Sequence, residues 1–167
     1  IYTVSDEDLA LQASQKQSHT AATDSNYLNA GFQRFLDHES MPASNPPWGS
    51  LNAIDLNRGE LAWRIPFGNY PKMLDRGESG LGSENYGGPV ITAGNLLFIG
   101  ATPDRMFKAY DKRNGKLLWQ TELPAAGFAT PSVYAVNGRQ YIVIAAGGGK
   151  LGEPTGSQYL AFALPEH

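Results

Sequence analysis

Few side chains in this sequence are suited to metal binding or nucleophilic catalysis. It contains no cysteine and three histidines. His19 and His38 are far apart and His167 is the last residue, so no two have the short spacing that puts two metal ligands on one element. No GxSxG segment frames a nucleophilic serine. The residue types therefore predict neither a histidine metal site nor a hydrolase triad.

A glycine-rich run at residues 145–150, AAGGGK, has some similarity to a phosphate-binding loop. That motif requires Gly at position 144 and Ser or Thr directly after Lys150. The chain has Ile144 and Leu151 at these places. We therefore reject nucleotide binding at this loop.

The carboxylates give no clear catalytic base. Asp55 and Asp111 occupy equivalent places in a repeat, where an aspartate can accept hydrogen bonds from turn amides. Asp104 is predicted to lie in a turn. Glu84 is the one carboxylate beside the expected mouth of a funnel, and acids in loops are usually solvated. We assign no catalytic residue within this sequence.

The elements that must position these residues are indicated by an internal repeat. LNAIDLNRGELAWRI (51–65) aligns with FKAYDKRNGKLLWQT (107–121) without a gap. The shared positions include two alanines, two aspartates, two glycines and two tryptophans: Ala53 and Ala109, Asp55 and Asp111, Gly59 and Gly115, Trp63 and Trp119. A long fixed period built from strands indicates a radial array of small sheets.

The stretch 84–123 reads as one complete four-stranded blade, GGPVIT, LLFIGAT, MFKAYDK and KLLWQTEL, separated by turn residues. The first repeat copy supplies two strands before it, and ATPSVY, QYIVIAA and YLAFAL supply three after it. The predicted fold is all-β, with consecutive antiparallel blades of a β-propeller. Residues 1–46 are predicted to be an irregular connecting segment, with a short helix capped by Ser5, and residues 47–167 to form the blades.

Composition excludes several classes of partner. Of 167 residues, 41% are hydrophobic and 17% charged, and the formal net charge is −3. Such a chain has no basic patch for nucleic acid and no polybasic surface for a membrane. No apolar run approaches the roughly 20 residues of a membrane-spanning helix.

Five separate blocks of the sequence resemble the quinoprotein dehydrogenases, which are eight-bladed propellers that hold pyrroloquinoline quinone (PQQ). The blocks are PPWGSLNAIDLNRGELAW, GGPVITAGNLLFIGAT, LPAAGFATP, VNGRQYIVIAAGGG and YLAFALPE. The Ala-x-Asp and Trp pattern is similar to the tryptophan-docking motif of that family. The resemblance covers residues 27–166, is strongest to the C-terminal end of the glucose dehydrogenase branch, and leaves residues 1–26 unexplained.

The resemblance implies oxidation of a sugar or alcohol by hydride transfer to PQQ, with Ca²⁺ or Mg²⁺ polarising the quinone, in the periplasm. The catalytic aspartate and most metal ligands of the family precede the part present here, so this chain alone is not expected to be active. It would need the remaining blades, on another chain or on a missing part, or would associate with itself. The alternative is a non-enzymatic propeller that binds proteins.

Two loops are expected to contact the cofactor if the resemblance holds. Tyr86 falls on the aromatic residue that precedes the Gly-Gly of the family, and Asn85 beside it can both donate and accept hydrogen bonds. Gly149 and Lys150 fall on a Gly-Gly-aromatic contact of the relatives. Lys150 replaces the aromatic residue, which removes stacking but introduces a cation that could pair with a carboxylate of the cofactor. Trp48 is expected either to contact substrate or quinone, or to pack beneath its blade.

Overall fold

The computed structural model describes residues 33–165, so the predicted helix at Ser5 lies outside the described residues. Before the first sheet, residues 33–49 form no helix and no strand, only a single antiparallel bridge between Leu36 and Pro42. In the described part of the chain, no helix is long and apolar enough to cross a membrane.

Three antiparallel sheets follow one another along the chain. The first sheet contains β1 (Ser50–Asp55) and β2 (Glu60–Pro66). The central sheet contains β3 (Val90–Ile91), β4 (Leu96–Ile99), β5 (Met106–Asp111) and β6 (Leu117–Glu122). The third contains β7 (Ser132–Val136), β8 (Arg139–Gly148) and β9 (Thr155–Phe162). The predicted series of two, four and three strands is confirmed.

The two repeat copies form the same hairpin. Each alanine lies opposite its tryptophan, and a β-bulge follows each alanine, in the pairs Ala53–Trp63 and Ala109–Trp119. Each turn is closed by a hydrogen bond from the glycine N–H to the aspartate carbonyl, with lengths of 2.7 Å in the first copy and 2.9 Å in the second. Both glycines have positive φ, at 68° and 71°, a conformation that side chains disfavour. The repeat therefore specifies a turn as well as a strand pair.

The central sheet is covered on both faces. Because side chains alternate along a strand, Leu97 and Ile99 of β4 pack towards the first sheet, while Phe98 packs towards the third. On β5, Tyr110 packs with Leu97 and Ile99 on the side of the first sheet. Phe107 packs on the opposite side, towards the third sheet. Five of the six residues of β5 are consequently buried. The hydrophobic core thus consists of two layers, one on each side of the central sheet.

One short helix was not predicted from the sequence. Helix α1 (Pro71–Asp75) lies in the connection between β2 and β3, with proline in its first turn, where the missing N–H costs least. It helps to form a satellite cluster, whose members are Met41, Tyr70 and Met73 with Trp48 and Leu81 packed against them. Trp48 meets Tyr70 edge-on, with ring centroids 5.7 Å apart, and its indole N–H donates to the Ser44 carbonyl at 2.7 Å.

Candidate functional site

The strand order places one set of loops at the same end of the strands in the central and third sheets. Since neighbouring strands are antiparallel, the start of one strand lies beside the end of the next. The loops that precede β3, β5, β7 and β9 therefore lie together at this end of the strands, which we call the loop face. It is made of residues 67–89, 100–105, 123–131 and 149–154. All four residues predicted from the sequence to contact a cofactor lie on it.

Backbone hydrogen bonds connect these loops into one layer. The Tyr86 N–H donates to the Ala101 carbonyl at 2.9 Å, and the Ala101 N–H donates to the Gly127 carbonyl at 2.7 Å. The Gly148 N–H then donates to the Ala126 carbonyl at 2.9 Å. Such bonds fix the relative positions of the loops, so their side chains are held on a rigid support.

Tyr86 is the aromatic centre of the loop face. Its ring is 41% exposed, and the Lys150 ammonium lies 4.3 Å from the ring centroid. Phe128 meets Tyr86 edge-on at 6.1 Å between centroids. Gly87 makes this approach feasible, since a Cβ there would lie 2.6 Å from the Phe128 carbonyl oxygen. The structure brings Tyr86 and Lys150 together, although they are far apart in sequence. Phe128 was not identified from the sequence.

Lys150 is carried on a tightly folded loop. Its carbonyl accepts the Glu153 N–H at 2.9 Å, and the Gly149 N–H is directed at the Glu153 and Pro154 carbonyls, 3.3 Å from each. Gly149 and Leu151 both have positive φ, at 75° and 55°; the latter is uncommon for a residue with a bulky side chain. A cation–π contact of this kind fixes the ammonium while leaving its N–H groups able to donate to an anion.

Glu153 adds a titratable carboxyl to the same loop. Partial burial raises its pKa, an effect that the nearby Arg105 guanidinium opposes and Asp104 reinforces. Arg105 itself forms an ion pair with Glu122 at 2.7 Å. The loop face thus carries both charge signs, with Lys150 as the cation that lies over an aromatic ring.

Asn85 and Glu84 precede Tyr86 on the first of these loops. The Asn85 side-chain amide donates to the Ser83 carbonyl at 3.3 Å, and the side chain is exposed. The half-buried Glu84 carboxylate accepts a hydrogen bond from the Tyr70 hydroxyl at 3.1 Å. That hydroxyl oxygen lies 3.3 Å from the Glu84 N–H, which donates to it. Glu84 is therefore positioned by a buried tyrosine, a contact that sequence reasoning did not identify.

Asp104 lies in the loop before β5, as expected, but it is buried. Its carboxylate accepts hydrogen bonds from Lys108 at 2.7 Å and from Thr102 at 2.6 Å, and the Asn69 amide approaches at 3.3 Å. Burial together with this carboxylate raises the pKa of Tyr110 to about 12. A buried ion pair is a costly arrangement that needs such additional partners. Apart from the four-residue spacing of the two charges, no sequence feature indicated this pairing.

The part of the chain that the structure describes contains no cluster of metal-binding side chains. Among residues 33–165, no group of three or more histidine, aspartate or glutamate side chains is close enough to hold an ion. Asp55 and Asp111, excluded above as catalytic residues, accept hydrogen bonds from their own turns.

The family model for the β-propeller domain of PQQ-dependent glucose, ethanol and alcohol dehydrogenases matches residues 3–142. It begins well before residue 27, so the family match includes residues that the sequence resemblance left unexplained. These residues lie outside the described part of the chain.

Curated relatives and one solved structure agree with this match. Quinoprotein glucose dehydrogenase of Escherichia coli (strain K12) is 42% identical, over 79% of this chain and 17% of its own length. The glycerol dehydrogenase large subunit of Gluconobacter oxydans is 38% identical, over 77% of this chain and 18% of its own length. The crystal structure of quinohemoprotein alcohol dehydrogenase from Comamonas testosteroni superimposes with a TM-score of 0.55 at 29% identity, covering 78% of this chain and 19% of that one.

The chain thus spans less than a fifth of the length of these relatives. The match nevertheless covers most of the present sequence, and the sheets follow the predicted propeller order. The chain belongs to the PQQ family of glucose, ethanol and alcohol dehydrogenases, and contains part of their β-propeller domain.

Proposed function

We propose that this chain is the C-terminal part of a PQQ-dependent dehydrogenase that oxidises a sugar or alcohol. The observation that carries the proposal is the contact of Lys150 with Tyr86, 4.3 Å from ammonium to ring centroid, on the loop face. Both residues were selected from sequence as cofactor contacts, and two distant loops meet at this point. A rigid aromatic ring beside a cation suits a flat, anionic ligand.

The residues present fit a quinone that bears carboxylates. When bound, PQQ accepts a hydride from the substrate. Tyr86 would contact the quinone, with the Lys150 ammonium lying over one face of the tyrosine ring. Lys150 would pair with a carboxylate of the cofactor, and Asn85 would donate to a carbonyl or carboxylate oxygen. Gly149 supplies the positive φ of 75° at which the Lys150 loop begins.

The divalent cation and the catalytic aspartate are assigned to other parts of the enzyme. Within residues 33–165 no acidic or histidine cluster could ligate Ca²⁺ or Mg²⁺. We therefore place those groups on the remaining blades and expect this chain alone to be inactive. Residues 47–167 would supply the blades and residues 1–46 a connecting segment, in a periplasmic enzyme.

The repeated tryptophans are proposed to join successive blades, as in a tryptophan-docking motif. Trp63 of the first sheet donates its indole N–H to the Lys112 carbonyl at 2.9 Å, in the turn of the central sheet. Gly115 lies beneath the same ring, where an added Cβ would approach to 2.8 Å. Trp119 occupies the equivalent place on the central sheet and would dock the blade that follows.

The test is PQQ affinity, measured by absorbance titration of the holoenzyme that contains this chain. Lys150→Met preserves length and removes the charge; because hydrogen bonds to charged groups contribute about 1.5–3 kcal/mol, we expect the Kd to rise about tenfold or more. Lys116→Met is the matched control, since this exposed lysine lies in the β5–β6 turn, at the end of the strands opposite the loop face.

An equal Kd for both variants would contradict the role of Lys150. A protein that binds no PQQ when the remaining blades are present would contradict the dehydrogenase assignment and favour a binding scaffold.

A further inference from the structure

The connection between β2 and β3 is much longer than its counterpart in the next blade. Residues 67–89 join the first two sheets, whereas residues 123–131 join the second and third. The longer connection closes on itself, because the Ser83 N–H donates to the Phe67 carbonyl at 2.9 Å. Residues 68–82 therefore form an insertion at the loop face, and it ends directly before Glu84 and Asn85.

Polar contacts fasten this insertion to the segment before the first sheet. Arg76 donates two hydrogen bonds to the Glu39 carboxylate, at 2.7 and 2.8 Å. They lower the pKa of Glu39 to about 2. The Lys72 ammonium also donates to the Glu39 carbonyl at 2.9 Å. An exposed single ion pair contributes little, but a bidentate pair supported by a third bond fixes geometry.

A second set of hydrogen bonds connects the insertion to the loop before β5. The Asn69 amide donates to Asp104 at 3.3 Å, and the Asn69 carbonyl oxygen accepts the Gly80 N–H at 3.1 Å. Tyr70, next in sequence, is 6% exposed and packs against Trp48. The tyrosine hydroxyl that contacts Glu84 is thus held by a packed and hydrogen-bonded loop.

We infer that Glu84 is a substrate-binding residue of the proposed dehydrogenase, that Tyr70 is its positioning residue, and that together they select polyhydroxylated substrates over monohydric alcohols. The inference rests on the proposed function. Glu84 lies two residues from Tyr86, the proposed quinone contact, on the same loop. Its carboxylate accepts a hydrogen bond from the Tyr70 hydroxyl, and the residue is only half-buried.

The selectivity follows from the chemistry of the two side chains. A carboxylate accepts hydrogen bonds from hydroxyls, and the adjacent exposed amide of Asn85 both donates and accepts. A sugar or polyol presents further hydroxyls beside the one that is oxidised, so these groups can pair with it. A monohydric alcohol has no second hydroxyl and cannot make these additional hydrogen bonds, so it gains less binding free energy at this site.

Tyr70 acts through Glu84 and does not touch substrate. Its hydroxyl both donates to the carboxylate and accepts from the Glu84 N–H, so it sets the position of the side chain and of the backbone. Removing the hydroxyl should therefore weaken substrate binding in the same way as removing the charge of Glu84. A residue with a purely structural role would instead lower stability and leave substrate preference unchanged.

The experiment measures kcat and KM of the PQQ-loaded holoenzyme with glucose, glycerol and 1-propanol. We expect Glu84→Gln to raise KM for the preferred polyhydroxylated substrate about tenfold, with less than a twofold change for 1-propanol. Tyr70→Phe should change KM in the same direction by a smaller factor. The bound PQQ absorbance should be unchanged in both variants.

Two matched controls accompany these variants. Glu78→Gln removes the same charge from an exposed residue three positions after the end of α1, and Tyr159→Phe removes a hydroxyl from a residue that is 82% exposed. Neither control should alter KM for any substrate. If the wild type binds PQQ and Glu84→Gln changes KM equally for all three substrates, or for none, the inference is wrong. Absence of PQQ from the wild type would overturn the proposed function instead.

Discussion

The two copies of the repeat have the same local structure but different surroundings. In the first copy, Trp63 donates to the Lys112 carbonyl of the next sheet and covers Gly115. In the second copy, Trp119 packs against Phe107 and Phe162, at 6.1 and 5.6 Å between centroids, and is 41% exposed. The difference shows that the repeat encodes the hairpin, whereas the use made of its tryptophan depends on what the next sheet presents.

The largest difference between the copies is expected at the turn glycines. Gly59→Ala and Gly115→Ala both force a side chain into positive φ, which costs about 1–2 kcal/mol. At Gly59 the added Cβ meets nothing within 4 Å, but at Gly115 it would lie 2.8 Å from the Trp63 ring. Displacing a packed ring costs about 1–3 kcal/mol more. Urea unfolding of the full chain measures both, and equal losses would show that Trp63 does not depend on Gly115.

The tryptophans give a smaller contrast. Trp63→Phe removes the bond to the Lys112 carbonyl, so we expect a loss of about 1 kcal/mol in the free energy of unfolding. Trp119→Phe keeps an aromatic ring against Phe162 and should cost about 0.5 kcal/mol or less. Denaturant titration with tryptophan fluorescence at two wavelengths checks the pair. If Trp119→Phe proved the more damaging change, the indole hydrogen bond would not be what distinguishes the two copies.

The smallest contrast concerns the arginines of the two turns. Arg113 donates to Asp111 through two nitrogens, and these hydrogen bonds lower the pKa of Asp111 to about 2. An unfolded aspartate titrates near pH 3.9, at about its ordinary value. The stabilisation is therefore complete above about pH 4 and is lost as the pH falls towards about 2.

Arg113→Met should flatten this part of the stability profile, measured as the urea midpoint between about pH 2 and 5. Arg58→Met is the control from the first copy, where the arginine pairs with Glu60 instead of the aspartate. An unchanged slope in Arg113→Met would contradict the assignment of the pH dependence to this pair.

The sequence predicted the sheets well because each strand carries its own local signal. The β5–β6 hairpin is specified by strand-forming residues and by Asn114-Gly115, and its copy has the equivalent turn glycine at Gly59. The number of strands in each sheet followed from aligning the two copies. These features depend on neighbours in sequence, so no knowledge of distant contacts was needed.

The candidate site was only partly predictable. The resemblance identified Tyr86 and Lys150 separately, but the 4.3 Å contact between them arises from the packing of two sheets. The insertion that contains α1 has no periodic pattern, and the contact of Tyr70 with Glu84 depends on its closure. Likewise, Asp104 was expected in a turn, but nothing local shows that it would be buried there with Lys108.

The burial of β5 on both faces has a consequence for how the chain opens. Its backbone amides are bonded to β4 on one side and to β6 on the other, and its side chains lie between two hydrophobic layers. Successive amides of such a strand donate to opposite neighbours, so exchange with deuterated solvent along its whole length requires both neighbouring strands to separate. We expect the slowest hydrogen–deuterium exchange at Phe107–Tyr110, and faster exchange in β1 and β9, which each have a single neighbouring strand. The central blade would then be the last unit to lose its structure.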